Sequence, residues 1–143
     1  MSSNRTLAIL KPDAIASGKA GAILAHLQQG GFTLRAARLV RLTAAEAGAF
    51  YAVHQARPFY GELVEFMTSG PCMPLVLERA DAVASLRTAI GATDPAEAAP
   101  GTVRKLYAES KGRNAIHASD SDENAAREIA FFFTEGELAR LWG

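Results

Sequence analysis

The chain predicts an α+β fold of the ferredoxin-like kind, a four-stranded antiparallel sheet with helices packed on it. Three observations lead there. Apolar stretches short enough for strands recur at residues 6–10, 32–42 and 71–77, with a weaker one at 115–117. Segments with helical spacing separate them, in the order β-α-β-α-α-β-α. No repeat, low-complexity tract or linker divides the 143 residues, so 1–143 reads as one domain large enough to bury a core.

Residues 6–10 read as a buried strand ending in a turn at Lys11-Pro12-Asp13. Residues 21–29 read as a helix with Ile23, Leu24 and Leu27 on one side and Gly30-Gly31 as its stop. Along 32–42, Leu34, Ala36, Arg38, Val40 and Leu42 alternate with Arg35, Ala37, Leu39 and Arg41, the pattern of a strand with one richer apolar face. Thr43 and Glu46 have the spacing of a capping box and open a helix running to about His54. Pro58 interrupts, and a short helix over 60–67 turns Leu63, Val64 and Met67 inward. Residues 71–77 form another apolar strand, and 81–90 a helix that packs Val83, Leu86 and Ile90. Residues 91–112 hold Pro95, Pro100 and Gly101 with little periodicity; a connection that long inside a compact domain has a job or is disordered. Asp120 with Glu123 predicts a second capping box, opening a last helix over 123–133 before a short tail through Trp142.

Apolar residues make up 49% and charged residues 21% of the chain, ordinary values for a globular protein. Fifteen Lys and Arg balance fifteen Asp and Glu, so no global field and no basic stripe draw the chain to nucleic acid or membrane. The single cysteine, Cys72, excludes an internal disulfide and a thiolate metal cluster and reads as an isolated buried thiol. Asn4 and Arg5 precede a short apolar stretch broken by Lys11 and Asp13, which is neither a signal peptide nor a membrane span. A cytoplasmic enzyme or binding domain is the class these features predict.

His117 carries the chemistry. It lies just ahead of Ser119, Asp120 and Ser121, small residues that begin a helix, and a helix N-terminus favours an anion such as phosphate. A neutral imidazole is a competent nucleophile near pH 7. No Gly-rich phosphate loop is present, since Gly18-Lys19-Ala20-Gly21 matches none in full, so side chains must hold any phosphate. Lys11 at a strand end, with Arg87 and Arg104 on and after the helix at 81–90, could grip a polyphosphate if they converge. Each alone is more often a solvated surface charge. Glu128 shares a helix side with apolar residues and could accept the N–H of His117, fixing its tautomer; a surface role is the alternative. His26 reads as a boundary residue, and His54 as a helix-end cation. Asp120, Asp122 and Glu123 read as helix-start charges, not metal ligands. Tyr51 and Phe59 read as core aromatics, although an aromatic after Pro58 can also stack on a nucleobase.

Seven stretches together resemble the nucleoside diphosphate kinase family. Among them are the run from Arg5 to Lys11-Pro12-Asp13, Arg57-Pro58-Phe59-Tyr60, and Asn114-Ala115-Ile116-His117-Ala118-Ser119-Asp120-Ser121. The others are 50–54, 63–71, 91–95 and 99–104, so the resemblance covers about residues 5 to 138. It implies transfer of the terminal phosphate of a nucleoside triphosphate, ATP as main donor, to a nucleoside diphosphate. The transfer would run with Mg²⁺, by a ping-pong route through a phosphohistidine and with broad base tolerance. Carried over, His117 is the nucleophile and Glu128 its orienting partner, with Tyr51 and Ser119 beside them. Arg87, Thr93 and Arg104 hold the phosphates, and Lys11 and Asn114 bind the sugar hydroxyls. Lys11 also reaches the transferred group, and Phe59 stacks on the base. The metal rides chiefly on the nucleotide phosphates, with no protein cluster of its own. The resemblance also implies a homo-oligomer, a tetramer or hexamer. Two departures stand out. Ala118 occupies the place of a usual glycine and would strain the site or shift His117 slightly if positive φ or a close backbone approach were needed there. Lys105-Leu106-Tyr107 replaces an acidic-aromatic pair.

Overall fold

The computed structural model describes residues 3–142; residues 1, 2 and 143 of the expected domain lie outside the described residues. Strands β1 (Arg5–Leu10), β2 (Thr33–Ala37), β3 (Met73–Glu78) and β4 (Ile116–Ala118) form one sheet in the order β2-β3-β1-β4. Every pairing is antiparallel, and Ile9 of β1 stands opposite His117 of β4. The fold is ferredoxin-like. Among the described residues the helices are α1 (Pro12–Ala16), α2 (Ala20–Gln29), α3 (Ala44–Phe50), α4 (Tyr60–Met67), α5 (Ala82–Ile90), α6 (Val103–Tyr107), α7 (Asp122–Phe132) and α8 (Glu135–Trp142).

Side-chain alternation sorts two cores onto the two sheet faces. Ala8, Leu10, Leu75, Leu77, Ile116 and Ala118 pack with Ile23 and Leu27 of α2, Leu86 and Ile90 of α5, and Val103 of α6. Leu7, Ile9 and Val76 pack on the other face with Phe50 of α3, Met67 of α4 and Phe132 of α7. Each large aliphatic side chain so buried contributes on the order of 1.5–3 kcal/mol. Since Ile116 and Ala118 belong to the first core, His117 between them turns to the α7 side. Lys11 follows Ile9 by two residues and its backbone remains extended (φ −77°, ψ 165°), which brings it to that same side.

Several elements depart from the sequence expectation, each for a visible reason. The strand expected over 32–42 pairs only at Thr33–Ala37, because Arg35 bulges out of register and beyond it only Val40 bridges to Cys72. The expected turn at Lys11-Pro12-Asp13 is the first turn of α1, with Pro12 in the opening position where its missing N–H costs nothing. The capping box at Thr43 forms in full, its hydroxyl accepting from the Glu46 N–H at 3.1 Å and Glu46 accepting from the Thr43 N–H at 2.9 Å. Its helix is shorter than expected, ending at Phe50 before a 3-10 turn at Ala52–His54. The box expected at Asp120 does not form. Ser121 caps α7 instead, accepting from the Asn124 N–H at 3.0 Å, while Asp120 accepts from the Asn124 side-chain amide at 2.7 Å. The long connection over 91–112 contains α6, capped by the Thr102 hydroxyl. The expected tail is α8, with the Thr134 hydroxyl accepting from the Glu137 N–H at 3.0 Å.

Candidate active site

A cavity of about 380 Å³ opens beside β4. Lys11, Tyr51, Phe59, Arg87, Thr93, Arg104, Asn114, His117 and Glu128 all line it, so residues spread over more than a hundred positions converge. Of the residues assigned by resemblance, Ser119 alone is outside the lining. It is buried, and its hydroxyl donates to Glu128 Oε1 at 2.8 Å.

His117 meets Glu128 at 2.7 Å, Nε2 to Oε1. With Nε2–H donating to that carboxylate, Nδ1 keeps its lone pair, and among the described residues it has no hydrogen-bond partner. Burial pushes the imidazole pKa below its usual value; Glu128 opposes that through its hydrogen bond and charge, while Lys11 and Arg104 add to it. About 19% of the side chain remains open, so solvent tempers the burial. The result is a neutral ring at neutral pH with one nitrogen held and the other free. Phe50 and Tyr51 pack edge-on to it at 5.4 and 5.9 Å between ring centres.

Arg87 and Arg104 are held by backbone carbonyls and not by carboxylates. Arg104 donates to Ile116 O at 2.7 Å and Gly91 O at 3.1 Å, and Arg87 donates to Ala118 O at 3.3 Å. Gly91 sits at φ +87°, and a Cβ there would lie 2.6 Å from the Thr102 hydroxyl, so the carbonyl that steadies Arg104 depends on a glycine. Burial, then Arg87, lowers the Arg104 pKa to about 10. Lys11 donates to Asn114 Oδ1 at 2.9 Å; burial, then Arg104, lowers its pKa to about 8 against the opposing charge of Asp13. Arg104 Nε and the Tyr51 hydroxyl are buried with no partner among the described residues, which leaves donors for an incoming group. Burial, with Cys72 and Glu128, raises the Tyr51 pKa, so that hydroxyl stays protonated.

Asn114 also donates to Thr93 O at 3.4 Å, tying the loop to β4. Phe59 is 46% exposed at the rim, with His54 packed on it at 5.6 Å. Its exposure replaces the core role read from the sequence with that of an open platform. Tyr51, 5% exposed, remains a core aromatic as well as a wall of the cavity. His26 is half-buried against Tyr107, apart from the site. Ala118 is in β4 opposite Ala8 without positive φ, so no backbone strain of that kind arises there. The positive φ falls at Ala115 (+72°), which no sequence signal marked because alanine carries no turn preference. Sequence reasoning also missed Arg127, which lines the cavity and reaches Glu128 Oε2 at 3.5 Å. Its place one residue before Glu128 was the only available sign. Among the described residues no group of three His, Cys, Asp or Glu side chains is placed to hold a metal.

A family model described as nucleoside diphosphate kinase matches residues 4–138. The nucleoside diphosphate kinase of Chlorobaculum parvum is 61% identical over 137 residues, 96% of this chain and 98% of that protein. That of Chlorobium luteolum is 60% identical over 136 residues, 95% and 97% of the two chains. Among solved structures, the Aquifex aeolicus nucleoside diphosphate kinase superposes with a TM-score of 0.92 at 50% identity, covering 94% of this chain and 97% of that one. The halophilic enzyme from Halobacterium salinarum in complex with CDP gives 0.86 at 40% identity, covering 93% and 89%.

Proposed function

The chain belongs to the nucleoside diphosphate kinase family, and on that premise we propose that His117 carries the phosphoryl group between a nucleoside triphosphate and a nucleoside diphosphate. Phosphotransfer between nucleotides by a ping-pong cycle is the family's reaction. The observation that supports this assignment best is the His117–Glu128 contact at 2.7 Å, facing a cavity in which Lys11, Arg87 and Arg104 are unpaired with carboxylates.

Nδ1 of neutral His117 attacks the γ-phosphorus of the donor, ATP in the main. The N–P bond forms as the bond to the bridging oxygen breaks, and the nucleoside diphosphate leaves with the electron pair. Positive charge left on the ring is stabilised by Glu128, which Ser119 steadies through its own bond to Oε1. The terminal oxygen of a second diphosphate then attacks the phosphohistidine and the ring is restored. No proton need move, so positioning and charge neutralisation carry the catalysis. Arg87, Arg104 and Thr93 hold phosphates, Asn114 and Lys11 the sugar hydroxyls. Lys11 also meets the transferred group, with Tyr51 packed beside His117 to keep the ring in place. Phe59 stacks on the base, contributing on the order of 1–3 kcal/mol with little base preference, which accounts for broad specificity.

Mg²⁺ fits as a passenger on the nucleotide. Of the carboxylates lining the cavity, Glu128 is engaged with His117, which leaves Asp120 to meet a hydrated ion. When bound, the metal neutralises phosphate charge. We further propose a single domain acting in the cytoplasm; among the described residues no helix is long and apolar enough to cross a membrane. We propose a homo-oligomer, tetramer or hexamer, supported by exposed Leu39 and Leu141 near β2, the terminal strand of the sheet.

The test is direct. Incubated with γ-labelled ATP and Mg²⁺, the protein gains an acid-labile, base-stable label that a nucleoside diphosphate discharges. His117→Ala gains none, and its turnover falls on the order of 10⁵–10⁶-fold, the scale of removing a nucleophile. Equal labelling of the variant would reject the assignment.

A further inference from the structure

We propose that Asp13 is a positioning residue: its carboxylate holds a strained turn at Ala115 and thereby sets Asn114 and His117 against Lys11. The inference rests on the reading of His117 as phosphoryl carrier and concerns how the chain keeps that ring in place.

Asp13 lies in the first turn of α1, two residues after Lys11, and is 4% exposed. Its Oδ2 accepts from the Ala115 backbone N–H at 3.0 Å, across 102 residues of sequence. Lys11 N–H donates to Ala115 O at 2.9 Å. The segment 11–13 thus grips Ala115 by both its N–H and its C=O. Ala115 itself sits at φ +72°, and Ile116 N–H donates to Asn114 O at 2.9 Å. A bond from residue i+2 back to i around a positive φ is the rarer and strained form of γ-turn. Alanine gains nothing locally from that conformation, so the surroundings must impose it.

The turn has a consequence on each side. Before it, Asn114 is placed with its side chain 2.9 Å from the Lys11 ammonium. After it, Ile116 enters β4, and strand alternation directs His117 toward Glu128. A relaxed turn would move both partners of the nucleotide together. The choice of a carboxylate is also telling. Asp13 Oδ1 is buried with no partner among the described residues, an unfavourable arrangement unless the other oxygen has a task. An N–H bonded to an anion is roughly twice as strong as one bonded to a neutral acceptor, which suits a residue holding strain in place.

A double-mutant cycle tests this. Glycine adopts positive φ freely, so Ala115→Gly removes the need for the clasp. The rate of His117 labelling from γ-labelled ATP, the nucleotide KM and the thermal midpoint are measured for the parent, Asp13→Ala, Ala115→Gly and the double variant. Asp13→Ala is expected to slow labelling about a hundredfold, the scale of an ångström misplacement, and to raise KM. In the Ala115→Gly background the same Asp13→Ala change is expected to slow labelling less than about tenfold. Labelling of folded Asp13→Ala within about twofold of the parent overturns the proposal, and so does an equal loss in both backgrounds. Should Asp13→Ala fail to fold, a folded and labelling double variant supports the proposal, and a double variant that is unfolded or unlabelled overturns it. A parent that takes no label rejects the phosphohistidine reading itself, a separate outcome visible in the same experiment.

Discussion

At the β4 edge of the sheet, Arg104 and Arg87 donate to the carbonyls of Ile116 and Ala118. At the opposite edge, the Trp142 indole donates to the carbonyl of Arg35, the bulged residue of β2, at 2.6 Å. Both edges therefore satisfy strand carbonyls with side-chain donors. They differ in what becomes of the positive charge. Around β2, Arg5 and Arg35 both pair with Glu78, and the Arg35 guanidinium stacks over Trp142 at 4.1 Å. Both guanidiniums there share a carboxylate partner, close to solvent. Around β4, Arg87 and Arg104 touch only carbonyls, Arg104 is 8% exposed, and its Nε has no partner among the described residues. Charge that is held by dipoles and left uncompensated is available to a phosphate. Cation pairing, more than cation number, decides which edge becomes a site.

The largest test of that contrast is Arg104→Ala. Activity is expected to fall about 10²–10³-fold, and steady-state kinetics would show it in kcat/KM. Stability should drop by roughly 1–3 kcal/mol in denaturant unfolding, since the buried Ile116 carbonyl and the part-buried Gly91 carbonyl lose a donor. Arg104→Lys should recover little, because one ammonium cannot reproduce the two-carbonyl grip of a planar fork. Full activity in Arg104→Ala would break the comparison.

Glu128→Gln comes next. The amide oxygen still accepts from His117 and Ser119, but the charge is gone, and labelling of His117 should slow roughly 10–100-fold, the scale of losing a group that orients another. A smaller loss would mean that orientation alone suffices at the β4 edge.

The pH dependence sharpens the contrast further. With the Lys11 pKa lowered to about 8 by burial and by Arg104, its ammonium is lost as pH rises through that value. The alkaline limb of kcat/KM should therefore lie near 8, while that of kcat lies higher, since bound phosphate restores the charge. Stability moves the other way. Between about 8 and the ordinary 10.5 the unfolded chain binds more protons than the folded one, so unfolding free energy rises with pH there. His117, with its pKa below the usual 6.5, should keep activity down to pH values under 6.5.

Trp142→Ala has the smallest expected effect. It removes the indole bond and the stack at β2, lowering stability by about 1 kcal/mol in a thermal melt, with labelling of His117 within about twofold of the parent. A strong loss of labelling would show that the two edges are coupled through the sheet.

Legibility in the sequence followed the range of the interactions. The buried apolar run of β1, the capping box at Thr43 and the helix stop at Gly30 were readable because each is settled within a few residues. The second box does not form, and the cap falls one residue later than expected, because Asp120 and Ser121 compete at the same helix start and their side-chain bonds decide between them. The candidate site was named in full only through resemblance; from residue chemistry, Lys11, Arg87 and Arg104 were surface charges until shown to converge. Asp13 and Arg127 were passed over because their partners, Ala115 N–H and Glu128 Oε2, depend on backbone course and rotamer.

The amino-acid order alone thus determined the strand periods, the main helices and an imidazole poised among small residues before a helix. Only the tertiary structure decided that β1 lies between β3 and β4, which brings Lys11 to Asn114 across 103 residues and Asp13 to Ala115 across 102. It also decided the charge states, because the pKa of Lys11, Arg104 and His117 follows from how much water the packed sheet and helices remove. Periodicity and caps are energies of neighbours along the chain; convergence and desolvation are energies of neighbours in space, which no local stretch of sequence contains.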